Sequence, residues 1–368
     1  VSERRRLVLL TIARYLGREF LRTFALTVLA FVAIYVIADF FDRFDDFLKH
    51  ETPAGTIVRA FLFKIPFIIA QVTPLAVLTG ALVGLGLLAR NNEFVALRSC
   101  GVSLAQVLLP LTLLAAGISV ATFAWGETVV PASARRWNEI WNQEVKGRKG
   151  PAGVFVGREV WFHGRAGFYN INRVAPMRRK LYGLTIYQMK HDEFRPARVI
   201  DIAEATWTEH NTWSFRDVHT FHNDAEGAHE ENTLPAGFVL PESLDEFSVV
   251  AVDPEEFSYA MLRRQIHSLR AKGVDASESW VDLHLKIATP AASIVMMLLA
   301  IPLATRGTRA TSLPAAAGIG FAVGFSYFFV TAFTRALGQA HTIPPLPAAW
   351  MANALFALIA GYLCLASD

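Results

Sequence analysis

Cysteine is nearly absent from this chain. Cys100 and Cys364 are the only two in 368 residues. Both fall in or beside long apolar runs, far apart, so no disulfide framework is supported. Nucleotide-binding machinery is missing as well. The pattern G-x-x-x-x-G-K-[ST] does not occur, nor does the dipeptide Gly-Lys at all. There is no H-E-x-x-H and no G-x-S-x-G nucleophile elbow. No basic block interleaved with aromatics offers a nucleic-acid face, and the net charge is only +3. The apolar runs hold few ionisable residues and no relay of carboxylates, which argues against a proton-coupled transporter. The chain therefore shows no catalytic site and no energy source of its own.

What is abundant is apolar surface. Hydrophobic residues make up 53% of the chain, and the mean hydropathy is +0.34. The apolar runs gather at both ends, while the middle carries most of the charge. This distribution predicts an α-helical membrane protein with one soluble insert. The first run, 23–38, is slightly short for a span, so its helix begins before Arg22 and snorkels Arg14, Arg18 and Arg22. No small-x-small site follows it, so it reads as a retained span. Segment 39–56 places Phe40, Phe41, Phe44 and Phe47 at helical spacing among Asp42, Asp45 and Asp46. It reads as an amphipathic interfacial continuation with a solvated acidic face. A metal site there would rest on spacing alone. The second span, 57–89, holds Lys64, Pro66, Pro74 and a Gly80-x-x-x-Gly84 stripe suited to close helix contact.

Residues 90–101 break the apolar pattern. Asn91 or Asn92 can cap a short helix, Glu93 suits its first turn, and Gly101 can end it. A plain interhelical turn is the competing reading. The third span, 104–125, leaves the membrane at Gly126–Pro131, and 132–145 forms a separate amphipathic helix with Trp137 and Trp141 on one face.

Between 153 and 252 the periodicity changes to two. The segments VFVGREVWFH, AGFYNINRV, LYGLTIYQM, ARVIDIAEATW and TWSFRDVHTFH read as strands of a small antiparallel domain, a curved sandwich or roll. Segment 253–273 returns to helical periodicity, with Asp253 as N-cap and Pro254 at the first position. His219, His222 and His229 lack a cysteine or close carboxylate to complete a zinc set, so no metal is expected. Three further spans follow at 280–304, 313–337 and 345–365, the fifth with Gly318, Gly320 and Gly324 on a small-residue face.

Charge orients this plan. The N-terminus, the Arg90/Arg98 link and the Arg306/Arg309 link are basic and are assigned to the cytoplasm. Both termini are then cytoplasmic, and the β domain lies outside. The expected division is 1–131 with three spans and a short helix at 90–98, 132–273 with the β domain and its flanking helices, and 274–368 with three spans.

On these residues the chain resembles the lipopolysaccharide-export permease family, LptF/LptG (also YjgP/YjgQ). The resemblance is carried by RYLGREFLRTF, PLAVLTGALVGLGLLARNNEFVALRSCGVS, GETVVP, LYGLTIYQM, LKIATPAASIVMMLLAIPLA and IPPLPAAW. The LGLLAR segment and the start of the last span are closer to the G-type subunit. The resemblance implies a six-span inner-membrane protein of Gram-negative bacteria with an inserted periplasmic β-jellyroll-like domain. It implies pairing with a second homologous permease above a cytoplasmic ATPase dimer that carries the ATP and Mg, this chain binding no cofactor. Lipopolysaccharide would be drawn from the outer leaflet of the inner membrane and passed to a periplasmic β-jellyroll bridge, serving outer-membrane biogenesis. A single-span bridge protein would modulate the lateral gate.

The same resemblance makes 90–98 a coupling helix, with Arg90, Glu93, Phe94, Leu97 and Arg98 facing the ATPase. Lipid A phosphates call for cations at the outer mouth, and Arg43, Lys64, Arg135, Arg136, Lys286 and Arg335 are the candidates. Each is equally suited to snorkel at the interface. Where the resemblance would place a lysine at the outer end of the first helix, this chain has Asp39, and Arg43 is the expected substitute. The alternative from another class is a non-transporting scaffold that docks periplasmic proteins through its β domain. A lipid-modifying enzyme lacks any recognisable nucleophile, base or metal set.

Overall fold

A computed structural model describes residues 2–91, 93, 96, 99, 104–146, 160–164, 167–175, 179–190, 193–208, 212–224, 227–231, 233–235, 238–242, 244, 247, 254–271, 276–306 and 313–366. The chain divides into two compact units. One holds 1–48, 57–137 and 257–368, and the other holds 49–56 and 138–256.

The first unit is helical. Its long helices are α1 (Ser2–Asp42), α3 (Ala54–Arg90), α4 (Leu104–Glu139), α6 (Ser277–Arg306), α7 (Leu313–Gln339) and α8 (Pro345–Leu365). Each is long and apolar enough to cross a membrane. Short α2 (Phe44–Lys49) continues α1 after a break at Arg43, as the aromatic spacing predicted. The third span differs from expectation. Helix α4 runs unbroken from the third apolar run through Gly126–Pro131 into the segment expected as an amphipathic helix, and passes into a π-helical turn at Ile140–Val145. Val130, Ala134 and Trp137 are buried along it. Their packing outweighs the hydrogen bond that Pro131 cannot donate.

Helix α3 is the axis of this unit. Most of its apolar window is buried (78%), against none of α1's. Its small residues explain why. A Cβ on Gly80 would stand 2.9 Å from the Cα of Phe24, and one on Gly84 would stand 2.9 Å from Thr23 Oγ1. Helix α1 therefore lies backbone to backbone on α3. Thr23 donates to the Gly80 carbonyl at 2.9 Å and Thr27 to the Ala76 carbonyl at 3.2 Å. Helix α7 uses its own stripe, Gly320 against Thr79 and Gly324 against Leu75. The Gly80/Gly84 stripe, and Gly320 and Gly324 of the second, are thus contacts between α3 and its neighbours, whereas a Cβ on Gly318 would meet nothing within 4 Å. Among α6, α7 and α8, Tyr327 donates to Asn353 Oδ1 at 2.9 Å, and the Asn353 amide donates to the Ala288 carbonyl at 2.8 Å. Tyr327 and Asn353, both buried, thus satisfy each other and a backbone carbonyl, as an apolar solvent requires.

The second unit is built on one antiparallel sheet, its strands in chain order. They are β1 (Val160–Gly164), β2 (Gly167–Ala175), β3 (Lys180–Lys190), β4 (Glu193–Trp207), β5 (Trp213–Asp224) and β6 (Gly227–Glu231). Five match the expected segments. The sixth, GAHEE, has no β-branched or aromatic residue and pairs with β5 by register alone. Tyr169, Leu184, Ile186, Ile200 and Ile202 form the core with Leu240, Leu244 and Phe247 of the following segment. Glu242, also buried, accepts the Tyr169 hydroxyl at 2.8 Å.

Strict alternation fails along one row of this sheet. Buried residues flank it at a spacing of three: Ile171 and Val174, Leu181 and Leu184, Ile202 and Ala205. In β3 and β4 two successive residues, Tyr182 with Gly183 and Ala203 with Glu204, therefore turn away from the core, and Asn172 does so in β2. Gly183 (φ +61°) and Asp217 (φ +53°) lie on this row in the left-handed region. A Cβ on Gly183 would come within 2.4 Å of the Asn172 amide. The row lets both halves of each strand face one core.

Helix α5 (Tyr259–Ala271) starts five residues later than the sequence suggested. Pro254–Glu256 forms only a 3₁₀ turn. Ser258 is the working cap, accepting the Met261 amide at 3.2 Å.

Candidate functional site

Two charge clusters stand on opposite ends of α1. The first gathers Asp39, Arg43, Lys64 and Trp137. Lys64 Nζ lies 2.7 Å from both oxygens of Asp39, with side chains only 9% and 12% exposed. Arg43 Nε donates to Asp39 Oδ1 at 3.2 Å. The indole of Trp137 lies beneath both cations, its centroid 4.7 Å from Lys64 Nζ and 5.4 Å from the Arg43 guanidinium carbon. Phe40, Phe47 and Phe61 surround the cluster, and Phe61 meets Trp137 at 6.0 Å. Each part has a local cause. Asp39 and Arg43 are one helical turn apart. Lys64 sits in an otherwise apolar helix, and a cation there requires a partner. Trp137 is delivered by the continuation of α4 past Pro131.

Two of the six expected cations are thus brought together, Arg43 and Lys64. Sequence reasoning missed what holds them. Asp39 heads the segment expected to continue the first helix with a solvated acidic face, and Trp137 is one residue of an expected amphipathic face. The i,i+4 pairing of Asp39 with Arg43 was the available signal.

Two others form a separate group. Arg335 Nη2 of α7 pairs with Asp282 Oδ1 of α6 at 2.8 Å, and Lys286 lies one turn along α6 from Asp282. Arg135 and Arg136 are exposed on α4, and Arg135 extends Nη2 to Met261 Sδ at 3.5 Å.

At the other end of α1 stands the link after α3. Glu93, Ala96 and Ser99 are helical. Glu93 Oε2 accepts the Tyr15 hydroxyl at 2.8 Å, and Oε1 accepts the Asn91 amide at 3.4 Å. Arg90 ends α3, its side chain outside the described residues, and Phe94, Leu97 and Arg98 also lie outside them.

A further carboxylate was not anticipated. Glu127, in the GETVVP segment, accepts the backbone N–H groups of Tyr259 (through Oε1) and Ala260 (through Oε2, 3.4 Å). It fills the first turn of α5 from a helix far away in sequence, where the helix dipole favours an anion. Among the described residues no three His, Cys, Asp or Glu side chains stand close enough to hold a metal. The side chains of His222 and His229 lie outside that set.

Among the described residues, six membrane-length helices with a sheet set between the third and fourth in sequence define a multi-pass membrane protein. More specifically, the chain belongs to the lipopolysaccharide export system permease LptF/LptG family, which it matches over residues 14–366. It is similar to the lipopolysaccharide export system permease protein LptG of Escherichia coli (strain K12), 26% identical over 361 residues, covering 95% of this chain and 96% of that one. The protein of the same description from Haemophilus influenzae is 25% identical over 339 residues, covering 92% of each. The resemblance seen in the sequence motifs, including its G-type leaning, agrees with these relatives.

Proposed function

We propose that this protein is the G-type permease subunit of an ATP-driven lipopolysaccharide exporter in the bacterial inner membrane. One observation carries the reading. A single helix, α1, holds a link carboxylate at one end and a cation cluster on an aromatic floor at the other. From Tyr15 to Asp39 it spans about 36 Å, enough to cross the membrane. The end with Tyr15 and Glu93 faces the cytoplasm with both termini, and the sheet unit lies in the periplasm.

In this reading the ATPase dimer, which carries ATP and Mg, seats against residues 90–98, with Glu93 as its polar contact. Arg43 and Lys64 meet the anionic headgroup of the lipid, with Arg335 and Lys286 as a second group. Phosphate can compete for these cations because charge-assisted bonds are strong away from bulk water. The acyl chains suit the exposed phenylalanines of α7, namely Phe321, Phe325, Phe329 and Phe333, which recur every four residues. That face and the bare face of α1 also suit the second homologous permease. The lipid then passes to a periplasmic β-jellyroll bridge with its single-span partner.

The test is reconstitution of the chain with its second permease and ATPase in vesicles containing lipopolysaccharide. ATP-dependent release is expected, falling by about tenfold or more with Glu93→Ala. A complex that neither releases the lipid nor hydrolyses ATP faster in its presence would favour the scaffold instead.

A further inference from the structure

The link that follows α3 does not stand alone. Glu93, its described carboxylate, is held by a hydroxyl from α1 rather than by its own segment alone. Tyr15 is 48% exposed, so burial does not fix its ring. The hydrogen bond at 2.8 Å joins two residues 78 positions apart. Just beyond Tyr15, α1 is fastened to the rest of the bundle. Leu16 and Phe20 are buried in the helical core. A Cβ on Gly17 would stand 2.9 Å from Leu114 of α4, and Thr23 and Thr27 bond the α3 backbone. The hydroxyl therefore projects from the part of α1 that is packed and hydrogen-bonded against α3 and α4. A carboxylate on a short link has free rotamers, and holding one of them in place before a partner arrives lowers the ordering cost of contact. The neighbouring Asn91 amide, at 3.4 Å, is too long to do this by itself.

We infer that Tyr15 is a positioning residue for energy coupling: its hydroxyl sets the orientation of Glu93 and ties the link to α1, the same helix that carries Asp39. The inference rests on the reading of 90–98 as the ATPase seat. Tyr15 touches neither nucleotide nor lipid in this scheme. It acts through Glu93, and its effect is on the number of lipids released per ATP hydrolysed rather than on assembly.

The experiment uses the full complex of this chain, its second permease and its ATPase in lipopolysaccharide-containing vesicles. Four forms are compared: wild type, Tyr15→Phe, Glu93→Ala and the double variant. Lipid released and ATP hydrolysed are measured together, along with copurification and the melting temperature of the solubilised complex. The expected result for Tyr15→Phe is about a fivefold fall in lipid released per ATP, with copurification and melting temperature unchanged. The double variant is expected to be no worse than Glu93→Ala, because the hydroxyl has nothing left to orient. A wild-type ratio in Tyr15→Phe beside an impaired Glu93→Ala overturns the role of Tyr15 alone. A silent Glu93→Ala overturns the seat and Tyr15 with it. Losses that multiply in the double variant, or a fall in melting temperature that matches the loss of coupling, make Tyr15 an independent or merely structural residue and also overturn the inference.

Discussion

The two ends of α1 hold their carboxylates in opposite ways. Asp39 is nearly enclosed, gripped by an ammonium through both oxygens at 2.7 Å and by a guanidinium at 3.2 Å, over an indole. Glu93 is half-exposed, held by a neutral hydroxyl at 2.8 Å and a distant amide. Breaking a buried ion pair from one side costs about 3–5 kcal/mol, because the remaining charge is stranded. A hydrogen bond from a neutral hydroxyl in contact with water contributes about 1 kcal/mol. The first arrangement keeps its two cations in place over the indole, where a further anion can share them, and the second can hand its carboxylate to another protein cheaply. On the proposed function the chain needs both, a firm site for the anionic cargo and an exchangeable one for the energy source.

The comparison breaks most visibly at Lys64. Lys64→Met is expected to lower stability by about 3 kcal/mol or more, read as a fall in melting temperature of the purified chain. Asp39→Asn added to it should recover most of that loss. A single variant as stable as wild type would mean that the grip on Asp39 is not retentive. Wedging the rod itself is next. Gly80→Val places side-chain atoms against the Phe24 backbone and is expected to cost about 1–3 kcal/mol. A disulfide between cysteines introduced in α1 and α3 should then form more slowly.

Glu127 lies between the two extremes, a carboxylate on backbone donors. Glu127→Ala removes the acceptor for two N–H groups of α5 and is expected to cost about 1–2 kcal/mol. Faster amide exchange should be confined to the first turn of that helix. Exchange unchanged at Tyr259 and Ala260 would contradict the cap. The smallest effect is in the sheet. The Lys180 ammonium bonded to Glu204 holds its carboxyl below the usual glutamate range. A depressed folded-state pKa stabilises above the ordinary range and is lost as pH falls through the folded value. Glu204→Gln should therefore be slightly less stable than wild type near neutral pH. The gap should close in acid, as followed by fluorescence of Trp207 and Trp213.

Much of the fold was legible because its drivers are local. Apolar runs of membrane length gave six spans and their order. Alternation gave five strands, and Asn91 and Glu93 marked the start of the link, while Gly101 lies outside the described residues. What escaped depends on residues distant in sequence. Strand β6 exists because β5 offers it an edge. The start of α5 was misplaced because Asp253 and Pro254 form a plausible local cap, whereas Ser258 and the remote Glu127 cap the helix in fact. The apolar run and the amphipathic segment after Pro131 looked like two helices, but buried Val130, Ala134 and Trp137 carry one helix through the proline. The row through Gly183 and Asp217 disturbs alternation in four strands at once, which no single segment reveals. At the site, cations were legible as residue types. Their pairing was not, since Asp39 and Lys64 lie 25 positions apart and Tyr15 and Glu93 lie 78 apart.

The measurement that bears most directly on the central claim is photo-crosslinking from position 43, with a photoreactive side chain in place of Arg43, in the full complex with lipopolysaccharide. The account predicts a covalent lipid adduct before ATP is added. Its yield should fall by about fivefold or more on hydrolysis, and that fall should vanish in Glu93→Ala. No adduct, or an adduct indifferent to ATP, would contradict the claim that this end of α1 holds the cargo while the other receives the energy.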